Sequence, residues 1–124
     1  MCIVGYLEGT DPLFLSRLVA KGYDTMPISN GADNHGKYIR LVTKNDGIGV
    51  IVGYFHKIVP PADMNMSCSD LLYSTQLHHI PVILVAPKDV HDKAREKLGD
   101  VADTVTLTTP EELWETTMKV LNKK

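Results

Sequence analysis

Little in this chain is extreme, and what it lacks narrows its chemistry. It has two cysteines in 124 residues, Cys2 and Cys68. They stand far apart, with no C-x-x-C pair and no metal-ligand spacing around them, which argues against a disulfide framework and against a metal site. No apolar run approaches the length of a membrane span, and the N-terminus lacks the basic stretch and cleavage site of a signal peptide. A soluble, cytoplasmic protein without a membrane partner is expected. Acidic and basic residues are interspersed at a formal net charge of −2, so there is no basic stripe of the kind that neutralises phosphate backbones, and nucleic acid is not an expected partner. No repeat, low-complexity stretch or linker divides the chain. Its length falls in the common single-domain range of about 100–150 residues, so one domain over 1–124 is expected.

What is present is a pair of short apolar runs, Ile48-Gly49-Val50-Ile51-Val52 and Val82-Ile83-Leu84-Val85, bounded by Gly or Pro and separated by one helix-like segment. Strands buried on both faces read as continuous β-branched runs, so these two are expected to be adjacent, parallel and central. Ile3–Leu7 reads as the first strand. Asp11 as N-cap and Pro12 at the first helical position open a helix that Gly22 ends, with Phe14, Leu15, Leu18 and Val19 on its packing face. Tyr23–Ile28 is a shorter, more polar strand near an edge. Ser67-Cys68-Ser69-Asp70 fits a capping box and starts another helix after the Pro60–Met66 loop. Asp89 is expected to cap a charged helix with the stripe Val90, Ala94, Leu98 and an end at Gly99. Val105-Thr106-Leu107 is the fifth strand. Thr109, Pro110 and Glu112 form the strongest helix start, leading to a buried face of Leu113, Trp114, Thr117, Val120 and Leu121. Lys119, Lys123 and Lys124 suit that helix's C-terminal end.

Lys37–Lys44 has two open readings. One is a helix with Tyr38, Leu41 and Val42 on one face, favoured by the need for a crossover between parallel strands. The other is an antiparallel strand at 38–43 turning at Asn45-Asp46-Gly47, since Asp-Gly between β-rich segments is a hairpin signal. The pattern as a whole predicts a three-layer, doubly wound α/β domain of the flavodoxin or Rossmann type. Its five strands would be mostly parallel, in the order 2-1-3-4-5.

Ligands in such sheets sit outside the carboxyl ends of the strands. That rim is expected to collect Glu8, Thr10 and Asp11, then Ser29 and Asn30, then Tyr54 and His56, and finally Lys88, with the Ser67 helix start beside them. Helix N-termini present free N–H groups that favour an anion. Cys68 at the first position of a helix is a candidate reactive thiol, with His56 as the nearest base by topology; the alternative is a small apolar residue tucked under the loop. His78 and His79 sit at a helix C-terminus on the opposite rim, where imidazole suits the dipole. His91, in the first turn of the Asp89 helix, is expected near Lys88.

Known motifs do not fit well. Gly47-Ile48-Gly49 and Gly53 fall before and within a strand, whereas a dinucleotide fingerprint opens a helix. Receiver domains carry an aspartate at the end of strand three and a lysine at the end of strand five, and here those places hold Gly53-Tyr54 and Thr108. Asp33-Asn34-His35-Gly36-Lys37 resembles the D-x-H-x-x-G motif of cobalamin-binding domains over a few residues, but Tyr38 stands where the glycine belongs, and a polar turn is the better reading. Two functions remain. One is binding of a small anionic metabolite or nucleotide-like ligand at the rim by Glu8, Thr10, Asp11, Tyr54, His56, Ser67 and Lys88, in a homo-oligomer that completes the pocket. The other is a non-catalytic regulatory or assembly subunit acting through a loop in which Met64 and Met66 flank Asn65. Whether a cofactor is used, and which, stays open at this point.

Overall fold

The computed structural model describes residues 3–31, 35–59 and 67–122. Its elements are β1 (Ile3–Leu7), α1 (Pro12–Ala20), β2 (Asp24–Ser29), β3 (Lys37–Tyr38), β4 (Ile48–Tyr54), α2 (Cys68–Leu71), α3 (Tyr73–Leu77), β5 (Val82–Val85), α4 (His91–Leu98), β6 (Val105–Thr108) and α5 (Leu113–Asn122). The six strands form one sheet in the order β3-β2-β1-β4-β5-β6, and every pairing is parallel. This is the doubly wound α/β arrangement, with the expected order preserved and one short edge strand added.

The two apolar runs are neighbours, paired from Ile51 with Val82 through Tyr54 with Val85. Their side chains are buried on both faces, as their composition requires. On one face Val4, Val50, Val52, Ile83 and Val85 pack under Phe14 and Leu18 of α1 and Leu113 and Leu121 of α5. On the other, Leu7, Ile28, Ile51, Val82 and Leu84 pack under Leu71, Leu72, Leu98 and Val101, with Ile39, Val42 and Ile58 filling in. Gly53 has a packing reason: a Cβ there would lie 2.5–2.7 Å from Leu7 side-chain atoms, so only a glycine lets β4 pass beside β1 with Leu7 folded over it.

Segment 37–47 follows neither of its two readings. Lys37 and Tyr38 pair in parallel with Ile28 and Ser29, and the antiparallel strand at 38–43 is replaced by a 3₁₀ turn at Ile39–Leu41. Burying Ile39 and Val42, three apart, needs one turn and neither a strand nor a full helix. Asp46-Gly47 ends a second 3₁₀ turn at Lys44–Asp46, with Gly47 left-handed at φ +74°. The Asp46 carboxylate accepts from Thr43 N at 2.8 Å and Lys37 Nζ at 2.7 Å. Those bonds use the side chain as a cap, so the pair does not turn a hairpin.

Other local corrections have similar causes. Asp11 caps α1 by accepting from Leu13 N at 3.0 Å, but Val19 faces solvent, leaving Phe14 and Leu18 as the buried stripe. The helix opened by Ser67 breaks at Leu72 into α2 and α3. Asp89 lies inside a 3₁₀ turn at Lys88–Val90 and does not cap α4, which begins at His91. Thr109 makes no backbone cap; its Oγ1 donates to Glu112 Oε1 at 2.9 Å, and Pro110–Glu112 forms a 3₁₀ turn before α5. Thr117, buried in the face of α5, is satisfied by donating to Leu113 O at 2.8 Å. Cys2, Asp33, Asn34, the Pro60–Met66 loop, Lys123 and Lys124 lie outside the described residues.

Candidate functional site

The chain runs outward in one direction from β1 and in the other from β4, so the sheet's switch point lies between them. Beyond their carboxyl ends Lys57 Nζ stands 3.3 Å from Glu8 Oε1, and Asn30 Nδ2 donates to Lys57 O at 2.7 Å. Three strand ends are thereby tied together. The Glu8 side chain is 45% exposed and that of Lys57 23%, so the ion pair is worth less than about 1 kcal/mol and acts mainly to hold the rim in register. Thr10 is buried and donates to Leu7 O at 2.7 Å. Asp11 is engaged with α1. Ser29 Oγ accepts from Gly31 N at 3.0 Å.

At the end of β4, Tyr54 packs half-buried on the α1/α5 side of the sheet. His56 lies exposed and stacked on it, ring centres 5.8 Å apart. Lys88 is exposed beyond β5. His91 is held by Nε2, which lies 2.9 Å from Ala86 O. A carbonyl can only accept, so Nε2 carries a proton.

Two clefts open on this rim, to one side of the switch point. A cavity of about 230 Å³ separates the start of α1 from the start of α5, lined by Asp11, Leu13, Phe14, Arg17, Pro110, Glu111, Leu113 and Trp114. The Arg17 guanidinium covers the Trp114 ring at 3.9 Å from its centre, and Phe14 meets the same ring edge to face at 6.1 Å. Such cation–π contacts are worth about 0.5–1 kcal/mol at an exposed site. The second cavity, about 480 Å³, lies between Pro87-Lys88 and Thr109–Glu112. Pro110 and Glu111 line both, so they form the ridge between two adjoining clefts. Each cleft carries one cation, Arg17 or Lys88, and at least one carboxylate.

Ser67 and Cys68 stand apart from this group. Ser69 Oγ is 3.4 Å from Leu98 O at the end of α4, and α4 runs antiparallel to the strands, so α2 starts beside the end of α4 remote from Lys88. The N–H groups at that start are internally satisfied: Ser67 Oγ accepts from Asp70 N at 3.2 Å, and Asp70 Oδ2 accepts from Ser67 N at 2.9 Å. Backbone and side-chain bonds with Ser67 hold the Asp70 carboxyl below its usual range. Cys68 is 4% exposed. Burial pushes its thiol above the ordinary value, outweighing the attraction of Lys97. The expected lowering by a helix start is overridden because the sulfur lies in the core, where a thiolate loses its hydration.

His78 and His79 end α3 in a Schellman motif. Ile80 N donates to Thr75 O at 2.8 Å and His79 N to Gln76 O at 3.2 Å, with His79 left-handed at φ +55°. The His35 ring meets the edge of Tyr6 at 5.3 Å, and its Nδ1 lies 3.4 Å from Ile28 O. Among the described residues no three His, Cys, Asp or Glu side chains converge as a metal ion would need, and no helix is long and apolar enough to cross a membrane.

Arg17, Lys57 and Trp114 had no place in the sequence-based site. Lys57 follows the central strand directly, which was a usable signal. Arg17 and Trp114 come together only because α1 and α5 lie side by side on one face. No protein-family model and no curated protein matches the chain.

Proposed function

We propose that the protein binds an anionic, nucleotide-like metabolite at the C-terminal rim of its sheet. The observation that supports this most is the pair of adjoining clefts on either side of Pro110-Glu111, each with one cationic side chain, Arg17 or Lys88. The anionic part of the ligand would pair with these cations. Asp11, Glu111 and Glu112 disfavour an ion that is negative throughout, so the rest of the molecule must offer hydrogen-bond donors, as the amino groups of a nucleobase do. Tyr54 and His56, at the end of β4, lie toward the same rim. The Glu8–Lys57 pair would hold the neighbouring strand ends still.

Thermal denaturation with AMP, ATP or inorganic phosphate tests the reading. A ligand bound to the native state alone at about 100 times its Kd adds about 2.7 kcal/mol, and the melting temperature should keep rising with the logarithm of its concentration. Lys88→Ala and Arg17→Ala should each reduce the response. The reading fails if none of the three compounds shifts the transition at millimolar concentration, or if both variants respond as the parent does. A second reading, a non-catalytic assembly subunit, is favoured by a different observation: Leu41, Tyr73 and Leu77 are exposed on the opposite helical layer, as Leu13 and Val19 are on α1.

A further inference from the structure

The smaller rim cleft is built around a flat surface. Trp114, the chain's one tryptophan, is half-buried there, and the Arg17 guanidinium lies over its ring at 3.9 Å from the centre. Phe14, buried and edge-on to the same ring at 6.1 Å, braces the indole from behind the cleft. Arg17 itself is exposed and lines the cleft, so one face of its guanidinium rests on the indole and the other is left open. Guanidinium planes stack on aromatic rings, and nucleobases use such planes as platforms.

Size and charge indicate what the platform takes. A cavity of about 150 Å³ holds benzene, so about 230 Å³ holds one flat heterocycle. A whole nucleotide needs more room, and the adjoining cleft adds about 480 Å³. Asp11 uses Oδ1 to accept from Leu13 N; its other oxygen and the carboxylate of exposed Glu111 are further acceptors beside Arg17. Among the described residues the ion pairs are Lys37–Asp46 and Lys57–Glu8, so neither carboxylate is matched to Arg17. Two negative groups repel a phosphate and suit a ring that carries an amino donor. The phosphate has a cation in the adjoining cleft, Lys88, where Glu112 is engaged by the Thr109 hydroxyl.

We infer, on the reading that the rim binds a nucleotide-like anion, that the Arg17–Trp114 stack is its nucleobase platform and that the base is a purine bearing an amino group. The amino group would donate to Asp11 or Glu111, and the phosphate would reach Lys88 across the Pro110-Glu111 ridge. Arg17 is then shared, its face meeting the base while its N–H edge stays available to the anion. A purine is favoured over a pyrimidine because its larger ring covers more of the guanidinium.

Isothermal titration calorimetry of the full chain with AMP, GMP, purine riboside 5′-monophosphate and ribose 5-phosphate is the test, with Trp114 emission as the local readout. Purine riboside 5′-monophosphate stacks but has no amino group; ribose 5-phosphate has no base. The tighter of AMP and GMP should bind roughly tenfold better than ribose 5-phosphate, with purine riboside 5′-monophosphate between them. That nucleotide should change the Trp114 emission, and ribose 5-phosphate should not. Arg17→Lys keeps the charge and loses the plane, so it should weaken the nucleotide roughly tenfold and leave ribose 5-phosphate as it was. Lys88→Ala should weaken both alike. Ribose 5-phosphate or purine riboside 5′-monophosphate bound as tightly as the better nucleotide, or an Arg17→Lys variant with unchanged affinities, overturns the platform and leaves the rim reading standing. If none of the four binds at millimolar concentration, the rim reading fails and the platform with it.

Discussion

The two helical layers of this protein solve the same problem differently. On one face of the sheet α1 and α5 are regular helices of nine and ten residues. On the other, the 39–41 turn, the broken pair α2 and α3, and α4 with its following 3₁₀ turn at Gly99–Thr104 divide the cover among short pieces. Two long helices meet along a narrow seam and leave a groove at their starts, where the Arg17–Trp114 contact and its cleft lie. Short pieces can be fitted to the sheet one by one, filling the core closely. Both layers leave apolar side chains facing water, Leu13 and Val19 on α1 and Leu41, Tyr73 and Leu77 on the short pieces, so the difference between them lies in how the cover is divided.

The strongest way to break this comparison is to cut one core leucine under each layer. Leu18 and Leu72 are both fully buried, and replacing either by Ala should cost about 3 kcal/mol in chemical denaturation. If the pieces were only loosely docked, Leu72→Ala would cost far less than Leu18→Ala, and the close-filling account would be wrong. Gly53→Ala tests the line where β1 meets β4, beneath both layers. Its new Cβ would press on Leu7, and about 1–3 kcal/mol of overpacking is expected. Unchanged stability would mean that Leu7 can swing away.

Helix ends sharpen the contrast. Asp11→Ala should cost about 1 kcal/mol, since it removes the side-chain acceptor for Leu13 N. His79→Gly, at the end of α3, should instead raise the melting temperature, because glycine occupies the left-handed region without the penalty of about 1 kcal/mol that a side chain incurs. A fall in stability would show that the His79 side chain makes a contact worth more than that relief.

The smallest effect concerns acid. Hydrogen bonds from Lys37 and from Thr43 N hold the Asp46 carboxyl below its ordinary value of 3.8. A depressed folded-state pKa means that the unfolded chain binds the proton more readily. The stabilisation is therefore complete above pH 3.8 and is lost as pH falls through the lower folded value. With Lys37 partly exposed, less than about 1 kcal/mol is at stake. Asp46→Asn should flatten that part of the acid-unfolding curve; an identical curve would deny the pair any role.

Legibility followed the distance over which each signal acts. Alternation of strands and helices, the caps at Asp11 and Ser67, and the central pairing of β4 with β5 could all be read because a short window carries them. The 37–47 segment could not: Tyr38, Leu41 and Val42 fit a helical face and Asp46-Gly47 fits a hairpin, and only burial of Ile39 and Val42 against the sheet chose between them. Cys68 shows the same limit at the candidate site. Its position at a helix start was legible, but its depth in the core was not, and depth decided the direction in which its thiol shifts.

The sequence by itself determined a doubly wound parallel sheet, because continuous β-branched runs leave no face for water and parallel strands require connecting elements between them. It also located the rim on which Glu8, Tyr54, His56 and Lys88 follow their strands. Tertiary structure alone decided that Lys57 would meet Glu8, that Arg17 would cover Trp114, and that Ser67 would stand away from Lys88. Each of those contacts joins or separates segments remote in the chain, and their distances are set by how the two helical layers pack on the sheet, which no local pattern encodes.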